Sequence, residues 1–155
     1  MKKLEQIYEG KAKKVFATDD PELVIVDYKD DATAFNGEKK GIIVGKGVIN
    51  NRMTNHFMRL LSTVGIPTHF VEELSGRETL VKRVDITPLE VIIRNIAAGS
   101  FSKRFGVKEG VIFKKPTLEF SYKNDELGDP MLNTSHVYAM DLATPAEVGL
   151  IMEYA

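Results

Sequence analysis

Cysteine is absent from the sequence, which excludes disulfides, zinc–thiolate sites and cysteine nucleophiles. A chain without it fits a reducing cytoplasm. Net charge is nearly absent as well: 21 Lys and Arg stand against 22 Asp and Glu, a formal −1. No field of one sign exists to attract nucleic acid or an acidic membrane, so any anion must be held by a local cluster. Long apolar runs are missing too. Nothing approaches the roughly 20 residues that a membrane span needs, and no apolar signal-peptide core follows Met1-Lys2-Lys3-Leu4-Glu5-Gln6. There are no internal repeats and no low-complexity segments. What remains is the composition of a soluble, cytoplasmic-type chain, 43% hydrophobic and 28% charged over 155 residues. That length holds one domain, or one small domain plus part of another.

Residues 4–28 read as three short strands, at Ile7-Tyr8, at Val15-Phe16-Ala17 and at the β-branched run Leu23-Val24-Ile25-Val26, with a turn at Asp19-Asp20-Pro21-Glu22. Lys29 to Lys40 reads as a polar loop with Asn36-Gly37 at its tip. Ile49, Met53, Phe57, Leu60, Leu61 and Val64 then recur at helical spacing, which predicts an amphipathic helix stopped by Gly65 and Pro67. Strands are expected near 68–73, 79–84, 89–97 and 111–120, the first two joined by a turn at Ser75-Gly76-Arg77. Asp85-Ile86-Thr87-Pro88 breaks the pattern and reads as a hinge between lobes 1–85 and 86–155. The class that follows is α+β and antiparallel-rich. Near the end, Thr144-Pro145-Ala146-Glu147 has the form of a helix start, and Val148, Ile151 and Met152 give it an apolar face. No stop signal precedes Ala155, so the expectation is an element cut short, a short terminal helix being the alternative.

Three places carry chemistry. Gly10-Lys11-Ala12-Lys13 sits between two strands, where glycine permits close backbone approach and paired lysines offset phosphate charge. It lacks the spacing of a Walker loop; its nearer analogue is the strand–turn–strand phosphate cover of kinase-like or ATP-grasp-like nucleotide lobes. Lysines at a hairpin tip are also commonly just solvated. The second place is Val91-Ile92-Ile93-Arg94-Asn95-Ile96 followed by Ala97-Ala98-Gly99-Ser100, where strand alternation sets Arg94 on the face of Ile92 and Ile96. A guanidinium there needs an anion. Gly99-Ser100 opens a short helix holding Lys103 and Arg104 and closed by Gly106, and its start would seat a phosphate or carboxylate. Equally, Arg94 could snorkel to the sheet edge or pair with Glu90 or Asp85. The third place, Asn124-Asp125-Glu126-Leu127-Gly128-Asp129-Pro130, is an acidic loop suited either to Mg²⁺ or an ammonium group, or to being a solvated turn. His56, His69 and His136 show no metal-ligand spacing.

In this order, these segments resemble the succinocarboxamide synthase family. Tyr8-Glu9-Gly10-Lys11-Ala12-Lys13 is similar to its nucleotide loop, and Pro88-Leu89-Glu90-Val91-Ile92-Ile93-Arg94 through Ala98-Gly99-Ser100 to its first signature. Gly41 to Asn51, Gly65-Ile66-Pro67-Thr68 and Lys123-Asn124-Asp125 through Gly128-Asp129-Pro130-Met131 are similar too. The likeness runs over essentially the whole chain, and the block from Arg94 to Ser100 is its specific part. The resemblance implies an ATP-dependent carbon–nitrogen ligase of purine biosynthesis. Such an enzyme joins L-aspartate to carboxyaminoimidazole ribonucleotide through an acyl phosphate, with Mg²⁺ easing phosphoryl transfer. It implies an N-terminal ATP-binding lobe in which Lys11 and Lys13 face the phosphates, Val15 and Lys82 the adenine, and Asp85 the hinge. In the second lobe it implies Arg94 and Ser100 on the ribonucleotide phosphate, with Glu90 and Asp129 as catalytic groups near the metal or the substrate's polar atoms and Glu90 as a metal ligand. It also implies a homo-oligomer. Two departures stand out. Asn36 occupies a position where many members carry Asp, and the family's second signature, apolar-Asp-x-Lys-x-Glu-Phe-Gly, is not found. The chain is therefore expected to be an incomplete part of the ligase. A non-catalytic nucleotide-binding module is the alternative, and a small-molecule kinase a weaker one.

Overall fold

The computed structural model describes residues 1–34 and 39–155 and divides into two units, Met1–Asp85 and Ile86–Ala155. Asn36 and Gly37, the expected loop tip, lie outside the described residues.

In the first unit β1 (Lys3–Glu9), β2 (Lys13–Thr18), β3 (Leu23–Tyr28), β6 (Phe70–Glu73) and β7 (Glu78–Lys82) form one antiparallel sheet in the order β1-β2-β3-β7-β6. Val24, Val26 and Val81 are buried in it, with Val15 and Tyr28 packed against them. The segment expected to be a polar loop is partly paired: β4 (Asp31–Ala34) and β5 (Lys39–Ile42) form a hairpin, Asp31 opposite Ile42 and Ala34 opposite Lys39. Backbone pairing needs no apolar alternation, so this stretch carried no strand signal.

The expected helix is present as α1 (Lys46–Thr63), but it lies the other way round. Its apolar stripe points outward: Ile49 is 59% exposed and Val64, just past its end, 68%, while Met53, Phe57 and Leu60 are each more than half exposed. The residues turned inward are Gly47, Asn51 and Asn55. Asn51 and Asn55 are fully or almost fully buried and meet Thr79 on β7. The Thr79 hydroxyl donates to Asn51 Oδ1 at 2.6 Å and accepts from Asn55 Nδ2 at 2.8 Å, and Asn51 Nδ2 donates to the Ser75 carbonyl at 3.0 Å. A closed polar network of this kind satisfies groups that would otherwise cost free energy to bury. The helix start is equally specific. A β-carbon at Gly47 would strike the Tyr28 carbonyl, and the Gly47 N–H donates to Asp30 Oδ1 at 2.8 Å. That bond, followed by the Arg77 side chain, holds the Asp30 carboxyl below its ordinary pKa.

The second unit contains β8 (Leu89–Ile96), α2 (Gly99–Phe105), β9 (Ile112–Tyr122), a 3-10 turn at Asp125–Leu127, β10 (Met131–Leu132), α3 (Thr134–Ala139) and α4 (Pro145–Tyr154). Its sheet is antiparallel in the order β10-β9-β8. Phe120, Val137, Ala143 and Val148 form the core, flanked by Leu89, Val91, Leu118, Leu132, Leu142 and Ile151. The capping box expected for α4 is formed: the Thr144 hydroxyl accepts from the Glu147 N–H, and the Glu147 carboxylate accepts from the Thr144 N–H at 2.8 Å. Sequence periodicity missed α3, whose six residues are too few to show a period and whose start rests on an Asn133–His136 capping box.

Candidate functional site

In the first unit the loop between β1 and β2 closes tightly, the Gly10 N–H donating to the Lys13 carbonyl at 2.9 Å. Lys11 is exposed at the turn and Lys13, half-buried, begins β2. Both shoulders of the loop are tied to Lys29. Its N–H donates to the Ala12 carbonyl at 2.8 Å, and its Nζ lies 2.6 Å from both Glu9 and Asp31. Asp31 first and Glu9 second raise the Lys29 pKa, and the Lys29 hydrogen bond lowers that of Glu9. Register sets Lys13 and Val15 on one face of the sheet but Lys82 on the other, so the Lys82 side chain does not share the expected nucleotide face with Val15. Lys13 is opposite Tyr28, Val15 opposite Val26, and Lys82 opposite Leu23 at the far end of β3. Five strand residues, about 17 Å, separate the Lys13 end from the Lys82 end. Lys82 and Asp85 are exposed, and the Lys82 N–H donates to the His69 carbonyl at 2.7 Å. Burial, then the charge of Lys13, holds the His69 imidazole pKa below its ordinary value.

In the second unit the sheet has a core face and a polar face. Val91 opposite Phe120 belongs to the core; Glu90 opposite Ser121, Ile92 opposite Glu119 and Arg94 opposite Thr117 share the other face. The Arg94 side chain is 22% exposed, and its Nη2 donates to the Ser100 hydroxyl at 3.2 Å. Its charge partner is Glu119 on β9, not Glu90 on its own strand. Arg94 Nε lies 3.5 Å from Glu119 Oε2, within ion-pair reach, yet this buried nitrogen makes no hydrogen bond. Arg104 takes the same carboxylate through Nη2, at 2.6 and 2.9 Å from its two oxygens. At the start of α2, expected as an anion seat, one amide is already taken. The helix has only seven residues, and the Gly99 N–H already donates to Glu109 Oε1 at 2.8 Å.

Asp129, at φ 49°, lies in the left-handed region, where Asp is tolerated better than most residues. Its Oδ1 accepts from the Asn124 N–H at 2.8 Å, and its carbonyl accepts from the Ser121 hydroxyl at 2.6 Å. Ser121 is the register partner of Glu90, so one buried serine links the backbones that carry the two expected catalytic acids. Among the described residues no group of three or more His, Asp or Glu gathers as a metal site. Sequence reasoning missed Lys29, Glu109 and Glu119. Each has a partner at least ten residues away, Lys29 in addition to its neighbour Asp31, and no local motif marks the distant pairing.

These features define an α+β protein built on antiparallel sheets. The comparisons with known proteins name the family. A family model for SAICAR synthetase matches residues 6–155, and the chain belongs to that family. It is 65% identical over 155 residues to the phosphoribosylaminoimidazole-succinocarboxamide synthase of Lachnoclostridium phytofermentans, covering all of this chain and 66% of the relative. The crystal structure of that synthase from Ehrlichia chaffeensis superposes with a TM-score of 0.90 at 49% identity, over 97% of this chain and 63% of that one. A SAICAR synthetase in complex with ADP superposes with a TM-score of 0.87 at 44% identity, over 95% and 62%. The chain thus spans about two-thirds of the length of the relatives it matches. No helix among the described residues is long and apolar enough to cross a membrane.

Proposed function

We propose that this chain supplies the ATP-binding lobe (1–85) and part of the substrate lobe (86–155) of an ATP-dependent ligase. The ligase joins L-aspartate to carboxyaminoimidazole ribonucleotide and releases SAICAR, ADP and phosphate. The observation that carries this is Arg94 and Ser100: six residues apart in the family signature, they are brought within 3.2 Å on the polar face of the second sheet. A guanidinium beside a hydroxyl offers several convergent donors to a monophosphate. Lys13 and Val15 share one face of the sheet and follow the loop of Lys11, an order that suits a nucleotide with its phosphates at the loop and its base toward the hinge at Asp85; Lys82, whose side chain lies on the other face, would meet the base through its backbone. On this reading the two lysines offset phosphate charge while the carboxylate of the ribonucleotide is phosphorylated, and the aspartate amine then displaces phosphate from the acyl phosphate.

Magnesium is usually held by one or two carboxylates together with substrate phosphate oxygens. Glu90, an exposed carboxylate on the Arg94 face, fits that chemistry, with Asp129 near its strand partner. The ion would neutralise charge during phosphoryl transfer. The reading extends to a cytoplasmic homo-oligomer.

Calorimetric titration of the chain with ATP and with the ribonucleotide tests the assignment. Arg94→Ala is expected to weaken ribonucleotide binding at least ~10-fold and to leave ATP binding unchanged. Equal losses for both ligands would refute the role given to Arg94. Binding of ATP without product, even when the polypeptide is extended to the length of its relatives, would favour the non-catalytic module.

A further inference from the structure

The ion pair that Arg94 makes is shared. Glu119 lies in the C-terminal half of β9, its side chain only 14% exposed, and both Arg94 and Arg104 converge on it. One carboxylate between two guanidinium groups leaves a local surplus of one positive charge. The two arginines are not held alike. Arg104 takes both carboxylate oxygens, at 2.6 and 2.9 Å, and so ties α2 to the sheet. Arg94 stands 3.5 Å off, its Nε facing the carboxylate without a hydrogen bond while its Nη2 reaches Ser100. Glu119 therefore orients Arg94 electrostatically without consuming its hydrogen-bond donors. It also fixes, through Arg104, the helix that carries Ser100.

We propose that Glu119 is a positioning residue of the anion seat, holding Arg94 and, by way of Arg104 and α2, Ser100 in the geometry that a phosphate monoester meets. This rests on the assignment of Arg94 and Ser100 to the ribonucleotide phosphate. It makes a prediction opposite in sign to simple electrostatics. Removing the negative charge next to Arg94 raises the positive potential, and attraction alone would tighten binding of a phosphate dianion. Orientation predicts the reverse, since a donor array displaced by about 1 Å loses its advantage.

The experiment is titration of the 155-residue chain with the carboxylated ribonucleotide, and with ATP as internal control, for Glu119→Gln, Glu119→Asp and Arg94→Ala. Positioning predicts about a 10-fold weaker ribonucleotide affinity in Glu119→Gln, partial recovery in Glu119→Asp, and unchanged ATP affinity. A merely structural role would lower the thermal stability of the second unit in step with the loss of ribonucleotide affinity, with no recovery in Glu119→Asp, and that would overturn the proposal. Unchanged or tighter ribonucleotide binding in Glu119→Gln, with Arg94→Ala still defective, would overturn it while leaving the phosphate seat intact. No effect of Arg94→Ala would remove the seat itself, and the proposal with it.

Discussion

In the first unit a helix meets its sheet through asparagine and threonine, whereas in the second the helices meet theirs through valine, alanine and phenylalanine. α1 presents Asn51 and Asn55 to Thr79 and leaves Ile49, Met53, Phe57 and Leu60 outside. α3 and α4 instead bury Val137 and Val148 against Phe120. The second interface draws on the hydrophobic effect, which is non-directional and tolerates small shifts. The first draws on hydrogen bonds whose geometry permits a single register of helix on strand. The start of that helix is anchored by the Gly47 N–H on Asp30, next in sequence to the Lys29 clamp on the glycine loop. A directional interface thus stands next to the loop proposed to meet the nucleotide phosphates.

The largest test of the contrast is in the apolar core. Phe120→Ala should destabilise the second unit by about 3–5 kcal/mol, by loss of burial and the cavity left behind, read from the urea midpoint of its unfolding transition. Next comes Thr79→Val, nearly isosteric, which strands Asn51 Oδ1 and Asn55 Nδ2 inside the first unit. A cost of about 1–3 kcal/mol is expected, and a neutral result would mean that the network adds no stability. The smallest effect should come from the stripe that sequence periodicity marks as apolar. Phe57→Ser is expected to shift stability by less than about 0.5 kcal/mol, measured in the same denaturation. A much larger loss would mean that the outward face is covered in solution, and would bring the two units closer in kind.

Much of the fold could be read from local pattern. β1 to β3, β6 to β9, α1 and the start of α4 all lie where alternation, helical spacing or capping chemistry places them. The features that went unread are short or non-local. The hairpin β4/β5 has no apolar alternation, and α3 has too few residues for a period. For the candidate site, the glycine loop and the Arg94–Ser100 block were visible as motifs. Their supports were not: Lys29 reaches back 20 residues to Glu9, and Glu119 reaches 25 to Arg94. Spacing along the chain carries no information about pairs that only strand register brings together.

The amino-acid sequence by itself determined the α+β class, the family, the position of α1 along the chain and the residue types offered to a phosphate. Each of these depends on neighbours within a few turns or on motif order. Tertiary structure decided which face of α1 is buried, which carboxylate Arg94 meets, and that the first amide of α2 is already taken by Glu109. The reason is the same for all three. Helical periodicity creates a stripe but not its partner, and a charge selects its counter-ion by distance in space, which only the pairing of β8 with β9 and the packing of α1 on the sheet established.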